Sequence, residues 1–142
     1  MMRDRLKQAA DEAGLPLTDR LKTYNSRLAQ ELGKWAESKD KGDSFHHAVF
    51  KAYFADGTNI AKIPALLDIA ASVGLPREEA EAVLVKRTFK ADVDEDWSLS
   101  HKNGITAVPT FVMNKDRLVG AQPYEMLEGL MDANGVKKRI GL

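Results

Sequence analysis

The stretch GITAVPTFVM, residues 104–113, decides the fold of this chain. It carries no formal charge and is rich in β-branched residues and phenylalanine, so it predicts a β-strand from Ile105 to Met113. The residues that follow, NKD at positions 114–116, predict a turn, and Arg117 to Gly120 predicts a short return strand. We therefore expect one β-hairpin near the C-terminus.

Pro109 lies inside this apolar stretch. Because proline has no N–H to donate to a β-ladder, it belongs at the first residue of a strand or on a sheet edge. The ring also favours an extended backbone at the preceding residue, Val108. Position alone favours an ordinary trans peptide bond, since only about one X-Pro bond in twenty is cis in folded proteins.

The rest of the chain is predicted to be mostly helical. Apolar residues recur at helical spacing after Asn25, after Asp43 and between Lys90 and Lys102, and Pro123 opens a last helix. The core residues predicted for the first three of these segments include Leu32, Trp35, Phe45, Phe50, Phe54 and Trp97. The last helix is expected to bury Met126, Leu127, Leu130 and Met131. The predicted fold class is mixed α/β and mostly α, with helices followed by strand–strand–helix.

The composition excludes several functions. The 142 residues include 21 Lys+Arg and 21 Asp+Glu, and the resulting zero net charge argues against nucleic acid as the main partner. The chain has no cysteine, which excludes disulfides, cysteine-ligated zinc, iron–sulfur clusters and thiolate catalysis by this chain alone. No apolar run is long enough for a membrane span. We expect a cytoplasmic protein with no membrane partner.

The remaining polar clusters do not form a recognisable site. His46 and His47 are adjacent on a helix, where side chains point about 100° apart and cannot chelate one metal ion. The acidic cluster at residues 92–96 lacks the ligand series and glycine of a calcium loop. No glycine-rich phosphate loop or serine nucleophile motif occurs. We therefore predict no catalytic residue, no metal site and no cofactor.

The segment VPTFV, residues 108–112, resembles the cis-proline loop of DsbA-type members of the thioredoxin superfamily. Further segments resemble the FrnE-like branch of that family, in the family's order and at its spacing, from about Leu6 to Gly129. These segments are GLPLTDRL (14–21), TYNSRLAQELGKWA (23–36), FHHAVFKAYFADGTNI (45–60), DVDEDW (92–97) and GAQP (120–123).

The resemblance implies a fold in two parts. Residues 1–104 would form the helical insertion subdomain, and residues 105–142 the C-terminal β-hairpin and helix of a partial thioredoxin-like domain. The family's activity, thiol–disulfide exchange, uses a Cys-x-x-Cys helix in an N-terminal β-α-β half that has no counterpart in this sequence. We therefore expect a truncated or divergent family member that is redox-inactive alone.

The resemblance also implies a binding loop formed by Ala107, Val108, Pro109 and Thr110. Pro109 would be the cis proline, and the N–H and C=O groups of Val108 would pair with an extended peptide. The strand that follows would leave an apolar edge open to pairing. A second copy of the chain, or a partner that supplies the N-terminal half, is expected to complete the sheet.

Two functions remain open beside that of an oxidoreductase fragment. The chain could be a stand-alone peptide-binding or assembly module. It could also be a relative of the glutathione-dependent isomerases and kappa-type transferases, such as 2-hydroxychromene-2-carboxylate isomerase. Those proteins also have a helical insertion and a VPTF-like loop.

Overall fold

A computed structural model of the chain describes residues 2–140, which are mostly helical with one antiparallel hairpin. The predicted fold class is confirmed. The elements in order are α1 (Met2–Glu12), α2 (Arg27–Ser38), α3 (Gly42–Phe50), a π-helical turn (Lys51–Ala55), α4 (Ile63–Ser72), α5 (Arg77–Lys86), α6 (Lys90–Lys102), β1 (Thr110–Met113), β2 (Asp116–Val119) and α7 (Tyr124–Ala133).

The chain divides into two compact units between Glu95 and Asp96. The first contains α1 to α5 and the start of α6, and the second contains the rest of α6, the hairpin and α7. The subdomain boundary between residues 104 and 105 stays a prediction.

The core of the first unit is formed by α2, α3, α4 and α5. Each contributes a completely or almost completely buried side chain, namely Leu32, Phe45, Leu66 and Leu84. The helical spacing of apolar residues predicted Leu32 and Phe45 correctly, and Trp35 is also buried as predicted.

Two phenylalanines predicted for this core are exposed. Phe50 follows Phe45 by five residues, which on an α-helix places it about 140° around the axis from the buried face. Phe54 lies in the π-helical turn, where the Asp56 N–H donates to the carbonyl of Lys51. Since a π-helical turn has more residues than an α-helical one, it shifts the buried face away from the α-helical spacing.

The hairpin pairs Thr110 with Val119 and Met113 with Asp116. Asn114 begins the turn with φ of 54°, a left-handed conformation that asparagine tolerates better than most residues. Within residues 2–140, β1 pairs with β2 alone, so its other edge carries no strand.

The predicted buried face of α7 is wrong. None of the ten residues of this helix is buried, and Met126 and Met131 are 48% and 40% exposed. Neighbouring strands lie only about 4.8 Å apart, so a two-stranded sheet is too narrow to cover a helix. The apolar face of α7 therefore lies open.

Candidate functional site

The loop between α6 and β1, residues 105–109 and here called the proline loop, has a cis peptide bond between Val108 and Pro109. Two hydrogen bonds fix its end. The Pro109 carbonyl accepts from the N–H of Gly120 at 2.8 Å, and the Thr110 hydroxyl donates to the Ala107 carbonyl at 2.6 Å. The loop is thereby tied to the end of β2 and to the first residue of β1.

Val108 lies in the middle of this loop, and 90% of its surface is accessible. Its backbone N–H and C=O make no hydrogen bond to any residue that the structure describes. Both groups lie directly before β1, which has a free edge. An extended peptide could therefore pair with Val108 and continue along β1.

The four predicted binding residues are contiguous. Ala107, Val108 and Pro109 are exposed and Thr110 is half-buried. Their predicted role in substrate binding stays a prediction.

The start of the proline loop is fixed by an arginine that sequence reasoning missed. Gly104 lies two residues after the end of α6 and has φ of 68°, and the Ile105 N–H donates to the Ser100 carbonyl at 2.9 Å. Arg117 of β2 donates to the carbonyls of Gly104 and Asn103 at 3.0 and 2.8 Å. No sequence pattern indicates this contact, because Arg117 occupies an ordinary position on the return strand.

A pocket of about 270 Å³ adjoins the proline loop. Trp97, Ser100 and His101 of α6 form one wall, and residues 105–108 form the other. This loop pocket explains why the prediction of Trp97 as a core residue is wrong. The indole is 49% exposed because it faces a cavity rather than a packed core. His101 Nδ1 lies 2.8 Å from the Trp97 carbonyl.

A larger groove of about 630 Å³ runs between β1 and α7. Consecutive residues of β1, including Phe111 and Val112, line it together with Tyr124, Leu127 and Met131 of α7. The groove is mostly apolar. Within residues 2–140, β1 pairs with β2 alone and no residue of α7 is buried, so the groove is open to solvent.

The first unit contains a buried carboxylate that the sequence analysis also missed. The Glu31 side chain is 1% exposed and accepts from Arg87 Nε and Nη2 at 2.7 and 2.5 Å, and from Arg27 Nε at 2.9 Å. Arg27 also contacts Asp94, which pairs with Lys90.

The electrostatic effect of this network on Glu31 is clear. Hydrogen bonds from Arg87 lower the pKa of Glu31 below its ordinary value, and burial opposes that shift. The pair Arg27 and Glu31 has the i, i+4 spacing of a helical ion pair, which could have indicated it. Arg87 lies 56 residues further along the chain, and no local pattern points to it.

Neither a metal centre nor a membrane span is found in the part of the chain that the structure describes. Residues 2–140 hold no group of three or more His, Asp or Glu side chains placed to bind a metal ion. No helix in the same range is long and apolar enough to cross a membrane.

The chain belongs to the DSBA-like thioredoxin domain family, whose model it matches over residues 1–132. The family prediction is confirmed. The assignment to the FrnE-like branch stays a prediction.

Known proteins are similar to this chain in sequence or in fold. The chain is 32% identical to the uncharacterised protein YwbO of Bacillus subtilis over 114 residues, 78% of this chain and 56% of YwbO. Its fold resembles the crystal structure of a probable DsbA oxidoreductase from Streptomyces coelicolor, with a TM-score of 0.83 and 25% identity over 98% of this chain and 62% of that chain. It also resembles the cytosolic disulfide reductase DsbM of Pseudomonas aeruginosa, with a TM-score of 0.52 and 24% identity over 78% of this chain and 60% of that one.

The chain thus spans less than two thirds of the length of these relatives. The activities of the whole relatives do not transfer directly to these residues. The family match does not favour the glutathione-dependent isomerases and transferases as an alternative.

Proposed function

We propose that these 142 residues form the peptide-binding side of a DsbA-like thiol–disulfide oxidoreductase and bind extended polypeptide without redox chemistry of their own. The observation that carries the proposal is the exposed backbone of Val108, directly before the free edge of β1. Membership of the DSBA-like family supports it, because substrates of such oxidoreductases are polypeptides with disulfides.

The binding mode is β-strand addition. The Val108 N–H donates to a peptide carbonyl and the Val108 carbonyl accepts from a peptide N–H. Each backbone hydrogen bond contributes only about 0.5–1.5 kcal/mol net. A short peptide held mainly by such bonds should bind weakly, with a Kd of about 0.1–1 mM. Weak binding suits a substrate that must be released.

The redox step needs a thiolate that this sequence does not contain. Thiol–disulfide exchange begins when a thiolate attacks one sulfur of a disulfide, and the chain has no cysteine. The attacking group must come from another segment or another chain. In this proposal the proline loop positions the substrate strand for that external thiolate.

The groove between β1 and α7 is proposed as the place where this other element joins. Its apolar lining and the free edge of β1 suit either a second copy of the chain or a partner that supplies the N-terminal half. Light scattering across a concentration series tests the first option, for which we expect twice the 15.7 kDa mass of one chain. A monomer that gains insulin-reducing activity when mixed with a Cys-x-x-Cys half would support the second.

A cytoplasmic location is also part of the proposal. The similar fold of a disulfide reductase described as cytosolic is consistent with it. Fractionation of cells tests it, and recovery of the protein outside the cytoplasm would contradict it.

The experiment on peptide binding uses two substitutions at one position. Val108→Pro removes the backbone N–H, whereas Val108→Ala keeps both backbone groups and shortens only an exposed side chain. We expect Val108→Pro to bind a labelled unfolded peptide about ten times more weakly than Val108→Ala, which is the reference because it retains both backbone groups. Fluorescence anisotropy measures both. Equal binding by the two variants would overturn the proposed binding mode.

A further inference from the structure

We propose that the loop pocket selects the bound peptide by one side chain, and that it prefers a large neutral apolar residue such as phenylalanine or leucine. The inference rests on the proposed function, since it concerns a peptide paired with Val108. It goes beyond that function by naming a recognition pocket and the class of side chain that fits.

The location of the pocket provides the first argument. The backbone N–H and C=O of Val108 have no hydrogen-bond partner among residues 2–140, and Val108 also lines the pocket. Side chains of an extended peptide alternate between the two faces of a sheet, so every second residue of a peptide paired here points to one side of the proline loop. A side chain on the α6 side therefore reaches the pocket without any rearrangement of the peptide backbone.

The size and lining provide the second argument. A volume of about 270 Å³ is below the range of roughly 300–1,000 Å³ typical of sites for drug-sized ligands, and suits a single side chain. No Asp, Glu, Lys or Arg lines the pocket among the described residues. The half-exposed indole of Trp97 supplies a large flat apolar surface. The polar side chains of the lining are Ser100, His101 and Thr106. A lysine side chain would lose water there and meet no carboxylate, and an aspartate would exchange its water for a single imidazole.

The pocket is also held in shape. Arg117 joins the C-terminal carbonyls of α6 to β2, and the Ile105 N–H is bonded to the Ser100 carbonyl. Both walls are therefore fixed before the peptide arrives, which reduces the entropy lost on binding.

The test uses four labelled peptides that differ at one central residue, which is Phe, Gly, Asp or Lys. We expect the Phe peptide to bind about tenfold more tightly than the Gly peptide, and the Asp and Lys peptides to bind no better than Gly. Trp97→Ala should remove the preference for Phe. Leu99→Ala is the matched control, because Leu99 lies on the same helix, is similarly exposed and does not line the pocket.

A second variant tests the pocket independently, in case Trp97→Ala does not fold. Thr106 is exposed and lines the pocket, so Thr106→Glu should weaken the Phe peptide and strengthen the Lys peptide. A shift in tryptophan emission on binding of the Phe peptide provides an independent measurement, since Trp35 is buried in the core of the first unit.

The outcomes separate this inference from the proposed function. Equal binding of all four peptides, unchanged by Trp97→Ala and Thr106→Glu, would refute the proposed role of the loop pocket and leave the proposed peptide binding intact. Failure of every peptide to bind the unmodified protein would overturn the proposed function and this inference with it.

Discussion

Replacing Glu31 by glutamine should destabilise the protein strongly. The carboxylate is buried and accepts three hydrogen bonds from Arg87 and Arg27. Glutamine has nearly the same volume but only one acceptor oxygen, and its amide hydrogens would face the donors of a guanidinium. Glu31→Gln therefore leaves two arginines without their shared counter-charge.

The structure sets the size of the effect. Removing one partner from a buried ion pair costs about 3–5 kcal/mol. The lower end applies here because the side chains of Arg27 and Arg87 are 19% and 40% exposed and can regain water. In the Glu31→Gln variant, Arg27 also retains its ion pair with Asp94. A loss of about 3 kcal/mol corresponds to a fall in Tm of about 10 °C for a chain of this length.

The pH dependence gives this prediction a second test. The folded-state pKa of Glu31 lies below its ordinary value of 4.5, so its stabilising contribution is complete above that value and is lost as the pH falls below it. The difference between the unmodified protein and Glu31→Gln should therefore be largest at neutral pH. It should narrow as the pH falls from about 5 toward 3.

Chemical denaturation followed by circular dichroism measures both effects. Glu37→Gln is the control, since the Glu37 side chain is 53% exposed and lies 3.2 Å from His46, and we expect its free energy of unfolding to change by no more than about 0.5 kcal/mol. If Glu31→Gln is as stable as Glu37→Gln at neutral pH, the network does not stabilise the first unit and the reasoning is refuted.

Two further predictions concern other positions. Arg87 directly follows α5 and has φ of 52°, a left-handed conformation that glycine adopts without strain. The free energy of unfolding of Arg87→Gly should therefore be about 1 kcal/mol higher than that of Arg87→Ala, although both variants lose the ion pair with Glu31. Denaturation midpoints at which Arg87→Ala equals or exceeds Arg87→Gly would contradict this. If the edge of β1 joins two copies, Val112→Glu should give a monomer by light scattering, because like charges would meet across the joined edges. Val85→Glu, at an exposed position on α5, should leave the mass unchanged, and a dimer that persists in Val112→Glu would place the contact elsewhere.

The helices of the first unit could be predicted because their apolar spacing matches the helix that they form. Leu32 and Phe45 are buried where that spacing placed them. The same spacing failed for Trp97 and for α7, since a periodic pattern identifies an apolar face without showing what covers it. The two-stranded sheet leaves the α7 face open, and the indole of Trp97 faces a cavity.

The candidate site was predictable in part for a related reason. The proline loop is contiguous in sequence, so a short motif was enough to locate it. Arg117 and Trp97 are separated from this loop in the sequence and come close to it only when the chain folds. Glu31 and Arg87 are 56 residues apart and likewise meet only in the folded chain. No local pattern encodes such contacts.

Hydrogen exchange at the amide of Val108, followed by NMR with and without an extended peptide, tests the central claim most directly. The N–H has no partner among the described residues, so it should exchange rapidly in the free protein. We predict that saturating peptide slows this exchange at least tenfold, with smaller changes at residues remote from the loop. Unchanged exchange at Val108 under conditions where the peptide is bound would contradict the account.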